Sequence, residues 1–214
     1  MLKLLKKDLR LALHPTCILF LPLSGMLLIP NYPYYVVFFY TTLGIFFTCL
    51  TGRENKDIVF SAMLPVRKTD IVNARIALAV IAELAQMAVA VPFAVLRSAI
   101  GGANMAGMDA NTALFGMSFI MLGLFNLVFF TGYYKNPDRI GMPFLRGCIV
   151  TFLFIGAAEA AAATLPFFCD RLDTPDPAFM TEKLLLLAAG AVLFALLTAL
   201  AAHLSRRRFA RLDL

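Results

Sequence analysis

From Thr112 to Tyr134 the chain reads TALFGMSFIMLGLFNLVFFTGYY, without one charged side chain. A run of roughly 20 apolar residues is what a helix needs to cross the hydrocarbon of a bilayer. Further runs of this kind lie at Tyr34 to Thr51, Ile71 to Leu96, Gly147 to Phe167 and Lys183 to His203. A shorter one, Thr16 to Ile29, carries Pro22 and is expected to be kinked. None shows the period-two alternation of a barrel strand, and peptide groups in lipid must find their partners internally, so the spans are helices. Composition agrees, with 61% apolar residues, 15% charged and a mean hydropathy of +0.82. The expected fold is therefore all-α: one polytopic membrane domain over residues 1–214, with six transmembrane helices that use most of the chain.

The formal charge of +6 raises nucleic acid as a partner, but the distribution of basic residues argues against it. With the N-terminus in the cytoplasm, sixteen of the nineteen Lys and Arg residues fall on the cytoplasmic side. They are Lys3, Lys6, Lys7 and Arg10 before the first span; Arg53, Lys56, Arg67, Lys68 and Arg75 around the loop between the second and third; Lys135, Arg139 and Arg146 after the fourth; and Arg206, Arg207, Arg208 and Arg211 after the sixth. Arg97, Arg171 and Lys183 remain opposite. The positive-inside rule then places both termini in the cytoplasm, in a multi-pass protein of the cell membrane.

The opening MLKLLKKDLRLALHP has the basic start of a signal peptide, but no convincing small-residue cleavage site follows, and five further spans do. Leu2, Leu5, Leu9 and Leu13 share one helical face while Lys3, Lys7, Arg10 and His14 share another. That pattern suits an amphipathic helix lying in the headgroup plane and ended by Pro15. A plain cytoplasmic extension of the first transmembrane helix is the alternative.

Catalytic signatures are absent from the sequence. Cys17, Cys49, Cys148 and Cys169 have no paired spacing and read as packing residues. His14 and His203 stand far apart, so no catalytic, cofactor-binding or metal-binding residue is assigned. There is no G-x-x-x-x-G-K-[ST] phosphate loop to bind ATP. Two carboxylates, Glu83 and Glu159, fall inside expected spans, where a bare charge costs about 2.5 kcal/mol or more. Each is either a polar point in a substrate path or a structural acid satisfied by a neighbouring helix. In both readings it faces protein or water and not lipid. Gly123 and Asn126 read as packing residues.

The loop GRENKDIVFSAMLPVRKTD, Gly52 to Asp70, mixes Ile58, Val59, Met63 and Leu64 with Arg53, Glu54, Lys56 and Asp57. A short amphipathic helix from about Lys56 to Met63, stopped by Pro65, is expected, with Thr69 or Asp70 capping the next helix. Displayed by two membrane helices, such a helix suits a groove on a soluble partner; resting on the lipid surface is the alternative.

The segment LPVRKTDIVNAR, Leu64 to Arg75, with ENKDIVFSAM before it, resembles a recurrent stretch of the membrane subunits of type-2 ABC transporters. It resembles in particular the small bacterial permeases whose ATPase is a separate chain. The resemblance implies a permease subunit, itself non-catalytic, that forms the pathway with a second permease chain, identical or related. Cytoplasmic ABC ATPase subunits would bind ATP and Mg and drive it. It further implies a coupling helix between helices 2 and 3, with Ile58, Val59, Phe60 and Met63 as docking anchors. Glu54, Asp57, Arg67 and Lys68 would lie at the rim, and Leu64 and Pro65 at the helix end. The N-terminal helix would lie beside it as a connecting helix. Small re-entrant helices are implied in the acidic outer segment CDRLDTPDPAFMTE, although its prolines work against them.

Three readings thus compete: an exporter permease, a substrate-binding membrane subunit of another ATP-driven importer, and an intramembrane enzyme. The importer subunit needs a polar pocket toward the outer side. The enzyme needs clustered Glu, His or Asp residues. The sequence supplies neither.

Overall fold

The computed structural model describes residues 2–102, 104–174 and 179–212, and among them the regular structure is all helical, with no strand. The helices are α1 (Leu2–Lys7), α2 (Pro15–Leu19), α3 (Tyr35–Glu54), α4 (Asp57–Met63), α5 (Lys68–Ile100), α6 (Thr112–Tyr133), α7 (Gly141–Thr164) and α8 (Met180–Ala210). Five of them, α3 and α5 to α8, are long and apolar enough to cross a membrane. A bent pair, Lys3–Ala12 with Pro15–Leu28, makes a sixth crossing if its halves count as one span.

That bent pair is where the structure departs most from six plain helices. After α1 a π-helical turn, Asp8–Ala12, continues the first leg, and the chain turns by 80° before the second. His14 caps α2 by accepting a hydrogen bond from the Thr16 N–H at 3.2 Å, and Pro15 occupies the first helical turn. Pro22 then supplies no amide hydrogen, and Leu21–Leu28 continue as a 3-10 helix. If the second leg crosses the membrane, the 80° turn lays the first close to the bilayer plane, the attitude of an interfacial helix.

Helix α5 is the longest, about 50 Å at 1.5 Å per residue. It exceeds the roughly 30 Å hydrocarbon thickness, so it projects beyond the membrane. Helix α6 is the centre of the bundle: 72% of its apolar window is buried, against 22% for α7 and for α8. Between apolar helices in lipid there is little hydrophobic drive, so close backbone approach has to hold them. Glycine supplies it between α6 and α8. A Cβ at Gly116 would stand 2.7 Å from the Leu186 carbonyl oxygen, one at Gly190 would strike the Gly116 carbonyl, and Gly123 faces Phe194 Cα at 3.1 Å. On the opposite flank, Gly44 of α3 admits Cys17 of α2.

Most of the basic residues gather at one end of the bundle. There Lys7 reaches α4, Arg53 donates to the Asp138 carbonyl at 3.2 Å, Arg208 to Thr131 O at 2.5 Å and Lys68 to Leu212 O at 2.7 Å. At the other end Arg97 donates to the Gly101 and Gly102 carbonyls (3.2 and 3.1 Å), closing its own helix where both glycines adopt positive φ. Of the acidic segment Cys169–Glu182, Cys169–Leu172 belong to a short helical turn, and residues 175–178 lie outside the described set.

The glycine contacts give a direct test. Gly190→Val should destabilise the bundle by at least the roughly 1–3 kcal/mol of core overpacking, because it meets backbone that cannot move aside. Gly156→Ala, whose added Cβ meets no described atom within 4 Å, should be neutral or slightly stabilising. Thermal unfolding of the detergent-purified chain measures both.

Candidate functional site

At the basic end α3 stops at Glu54, and the chain reverses through Asn55 and Lys56, which adopts the left-handed conformation (φ 52°). The reversal launches α4 against the head of α5. Leu64 leaves α4 in an extended conformation, and Pro65 and Val66 lead to Arg67 and the start of α5. This short helix has two distinct faces.

The inner face is fixed by charge. Asp57 Oδ1 accepts a hydrogen bond from Lys7 Nζ at 2.7 Å, its other oxygen bonds the Arg75 guanidinium, and Lys7 also donates to Ser61 Oγ at 2.7 Å. Arg75 Nε lies 3.3 Å from Asp8 Oδ2, and Lys7 Nζ 3.2 Å from Asp8 Oδ1. Arg75 completes its fork on the Thr48 carbonyl of α3 at 3.4 Å, with Gly52 leaving room for the guanidinium. Asp8 and Arg75 are almost fully buried. Two cations and two anions thus neutralise one another where α1, the turn after it, α3, α4 and α5 meet. Ile58 and Ser61 are buried on the same side, Ile58 in an apolar cluster with Leu4, Ile71 and Val72.

The outer face is apolar and exposed: Val59 at 39%, Phe60 at 58% and Met63 at 78%, followed by Leu64 and Val66. Glu54, Pro65 and Arg67 are exposed around it, and Lys68 bonds the Leu212 carbonyl. The structure therefore divides the expected contact set. Val59, Phe60, Met63, Leu64, Pro65, Glu54 and Arg67 are displayed, whereas Ile58 and Asp57 are turned into the chain itself. A segment of seven residues that mixes apolar and charged types gives no sign of which face finds partners fifty residues away. The role of Arg75 was equally hidden. Its one sequence signal was a lone cation amid Ile71, Val72, Ala74, Ile76, Leu78 and Ala79.

Deeper in the bundle, Glu83 of α5 is fully buried. Its Oε2 accepts from Asn126 Nδ2 of α6 at 3.0 Å, and the same amide lies 3.3 Å from Thr198 Oγ1 of α8. One turn along, Gln86 donates to Ser24 Oγ of the 3-10 segment at 2.8 Å. Glu159 lies elsewhere, near the far end of α7. It accepts the Met108 N–H at 2.9 Å and sits over Gly107, pinning the loop between α5 and α6. Asp173 accepts the Asp109 N–H at 2.6 Å beside it; burial pushes this carboxyl up from its ordinary range, partly offset by that bond. The two intramembrane acids thus face protein, in separate clusters.

A cavity of about 580 Å³ opens between α5, α6 and α8 at this far end. Its walls are mostly aliphatic and aromatic, among them Leu84, Met87, Val91, Phe115, Phe119 and Leu187. Lys183, with its ammonium on the Thr174 carbonyl, and Asn111 stand at its polar rim.

The chain is thus a multi-span helical bundle that presents a short amphipathic helix beside its basic end. A family model described as "ABC-2 family transporter protein" matches residues 3–210, and the chain belongs to that family. No curated protein and no solved structure matches the chain.

The interhelical carboxyl at Glu83 makes an expectation for stability. Glu83→Gln keeps an oxygen for the Asn126 amide and should unfold near the wild-type temperature. Glu83→Leu leaves one N–H of that amide without its acceptor in the core, the other still bonding Thr198, and should cost about 1–3 kcal/mol, read from unfolding in detergent.

Proposed function

We propose that the chain is the permease subunit of an ATP-driven exporter in the cell membrane, with both termini in the cytoplasm. Two permease chains, identical or related, form the pathway, and separate ABC ATPase subunits bind ATP and Mg and dock on α4. The observation that carries this reading is the outer face of α4, where Val59, Phe60 and Met63 stand exposed while the inner face is anchored by Asp57 and Ile58. A helix held by one side and apolar on the other fits a groove on a soluble partner. It stands at the end where the basic residues gather, which under the positive-inside rule is the cytoplasmic one. The importer-subunit reading is less well supported, because the large outer cavity is mostly apolar where a polar ligand pocket is needed. No observation favours an intramembrane enzyme.

Buried apolar anchors dominate such interfaces, while exposed charge pairs add roughly 1 kcal/mol or less. Co-expressed with a candidate ABC ATPase subunit from the same source, Phe60→Ser or Met63→Ser should weaken association by about 2 kcal/mol, a factor near 30. Glu54→Gln and Arg67→Gln should change it little. Ile58→Ser should instead lower the stability of the permease itself. Quantitative co-purification and thermal unfolding separate these outcomes; unchanged association in both Phe60→Ser and Met63→Ser leaves α4 a lipid-surface helix.

Orientation has its own test. Reporter fusions in the Gly52–Asp70 loop and at both termini should all report the cytoplasm, and an outside signal from that loop inverts the topology.

A further inference from the structure

We infer that Arg75 is a positioning residue that locks α4 to the N-terminal helix, so that these two elements and the head of α5 move as one body when α4 is displaced. The inference rests on the reading of α4 as the ATPase-docking helix, but its geometry stands in the chain alone. Arg75 is the only one of the four charged residues in the cluster that belongs to a membrane-crossing helix. One edge of its guanidinium engages Asp8, which follows α1, another engages Asp57, which opens α4, and a third donor reaches the Thr48 carbonyl of α3. Lys7 closes the circuit from the other side, bonding Asp57 and Ser61 and lying against Asp8.

The arrangement has a mechanical consequence. A buried charge stripped of its partner is costly, so a displacement that separated α4 from α1 would leave Asp8, Asp57, Lys7 or Arg75 uncompensated. A push on the outer face of α4 is therefore passed on to α1 and α5 before it can open that cluster. Arg suits the position because its planar fork addresses two carboxylates and a carbonyl at once, which a lysine ammonium on a flexible stem cannot hold in register. From Arg75 the same buried face of α5 continues through Ala79 to Glu83, which is bonded to α6. The displaced body is thus tied to the core of the bundle.

Hydrogen exchange on the full chain in lipid nanodiscs, without any ATPase, tests the shared motion. In Arg75→Gln the amides of α4 and those of α1 should lose protection together, by about tenfold or more, and Arg75→Lys should fall between it and wild type. The milder Asp8→Asn serves if Arg75→Gln does not insert. Asp8 bonds Arg75 and not α4, yet its neutralisation should loosen α4. A second arm uses the complex with the co-expressed ATPase. Arg75→Gln leaves the outer face of α4 intact, so co-purification should persist, while stimulation of ATP hydrolysis by the permease falls about fivefold or more. Loss of protection in α4 with α1 unchanged, or unaltered α4 protection in both Arg75→Gln and Asp8→Asn, overturns the inference. So does full stimulation of hydrolysis in Arg75→Gln. If the Phe60 and Met63 variants show that α4 is not the docking helix, that reading fails separately, and the exchange experiment still decides whether α1 and α4 are locked.

Discussion

Inside hydrocarbon a peptide group has no water to bond, and every N–H and C=O must be paired within the protein. That constraint makes each long apolar run a helix. It leaves the helices with little hydrophobic reason to associate, since a lipid tail is as apolar as a leucine. What brings them together is therefore small residues and buried polar pairs. Gly116, Gly123 and Gly190 let α6 and α8 touch backbone to backbone. With α6 at the centre, the stacked rings of Phe125, Phe129 and Tyr133 fill the layer toward the basic end.

Helix α5 shows how the polar pairs are distributed. Its buried face carries Arg75, Glu83, Gln86 and Arg97, and each bonds a different part of the molecule. Arg75 holds the elements at the basic end, and Glu83 holds α6. Gln86 holds the 3-10 segment through Ser24, and Arg97 donates to Tyr34 Oη at 3.0 Å and to the turn after its own helix. Four polar side chains on one face of a membrane helix would be prohibitive in lipid. Against protein partners at four depths, they fix the rotation of α5 and its height relative to its neighbours.

The basic end combines two kinds of surface. On its inner side α4 is fastened by a neutral set of charges and by Ile58 in an apolar cluster. Its outer side offers Val59, Phe60 and Met63, which none of the described residues covers. A binding element that is rigid on one side loses less conformational freedom when a partner arrives on the other. The anchoring and the display are two aspects of one seven-residue helix.

Much of this was legible in the sequence because the membrane imposes patterns on composition that need no long-range contact to be read. Uninterrupted apolar runs such as Thr112 to Tyr134 set the helices. The gathering of lysines and arginines set the two ends, and Pro65 set the stop after α4. The cost of a charge in lipid already required Glu83 and Glu159 to face protein or water and not hydrocarbon. Only the tertiary structure decided which partners they face: Glu83 bridges helices through Asn126, whereas Glu159 ties down a loop at Met108. The break of the first span was already signalled by Pro22, but the tertiary structure decided that Asp57 and Ile58 turn inward. Those outcomes depend on residues far apart in the chain, Lys7 and Asp8 meeting Asp57 and Arg75. Local periodicity describes the faces of a helix, but which face is buried is settled by what packs against it.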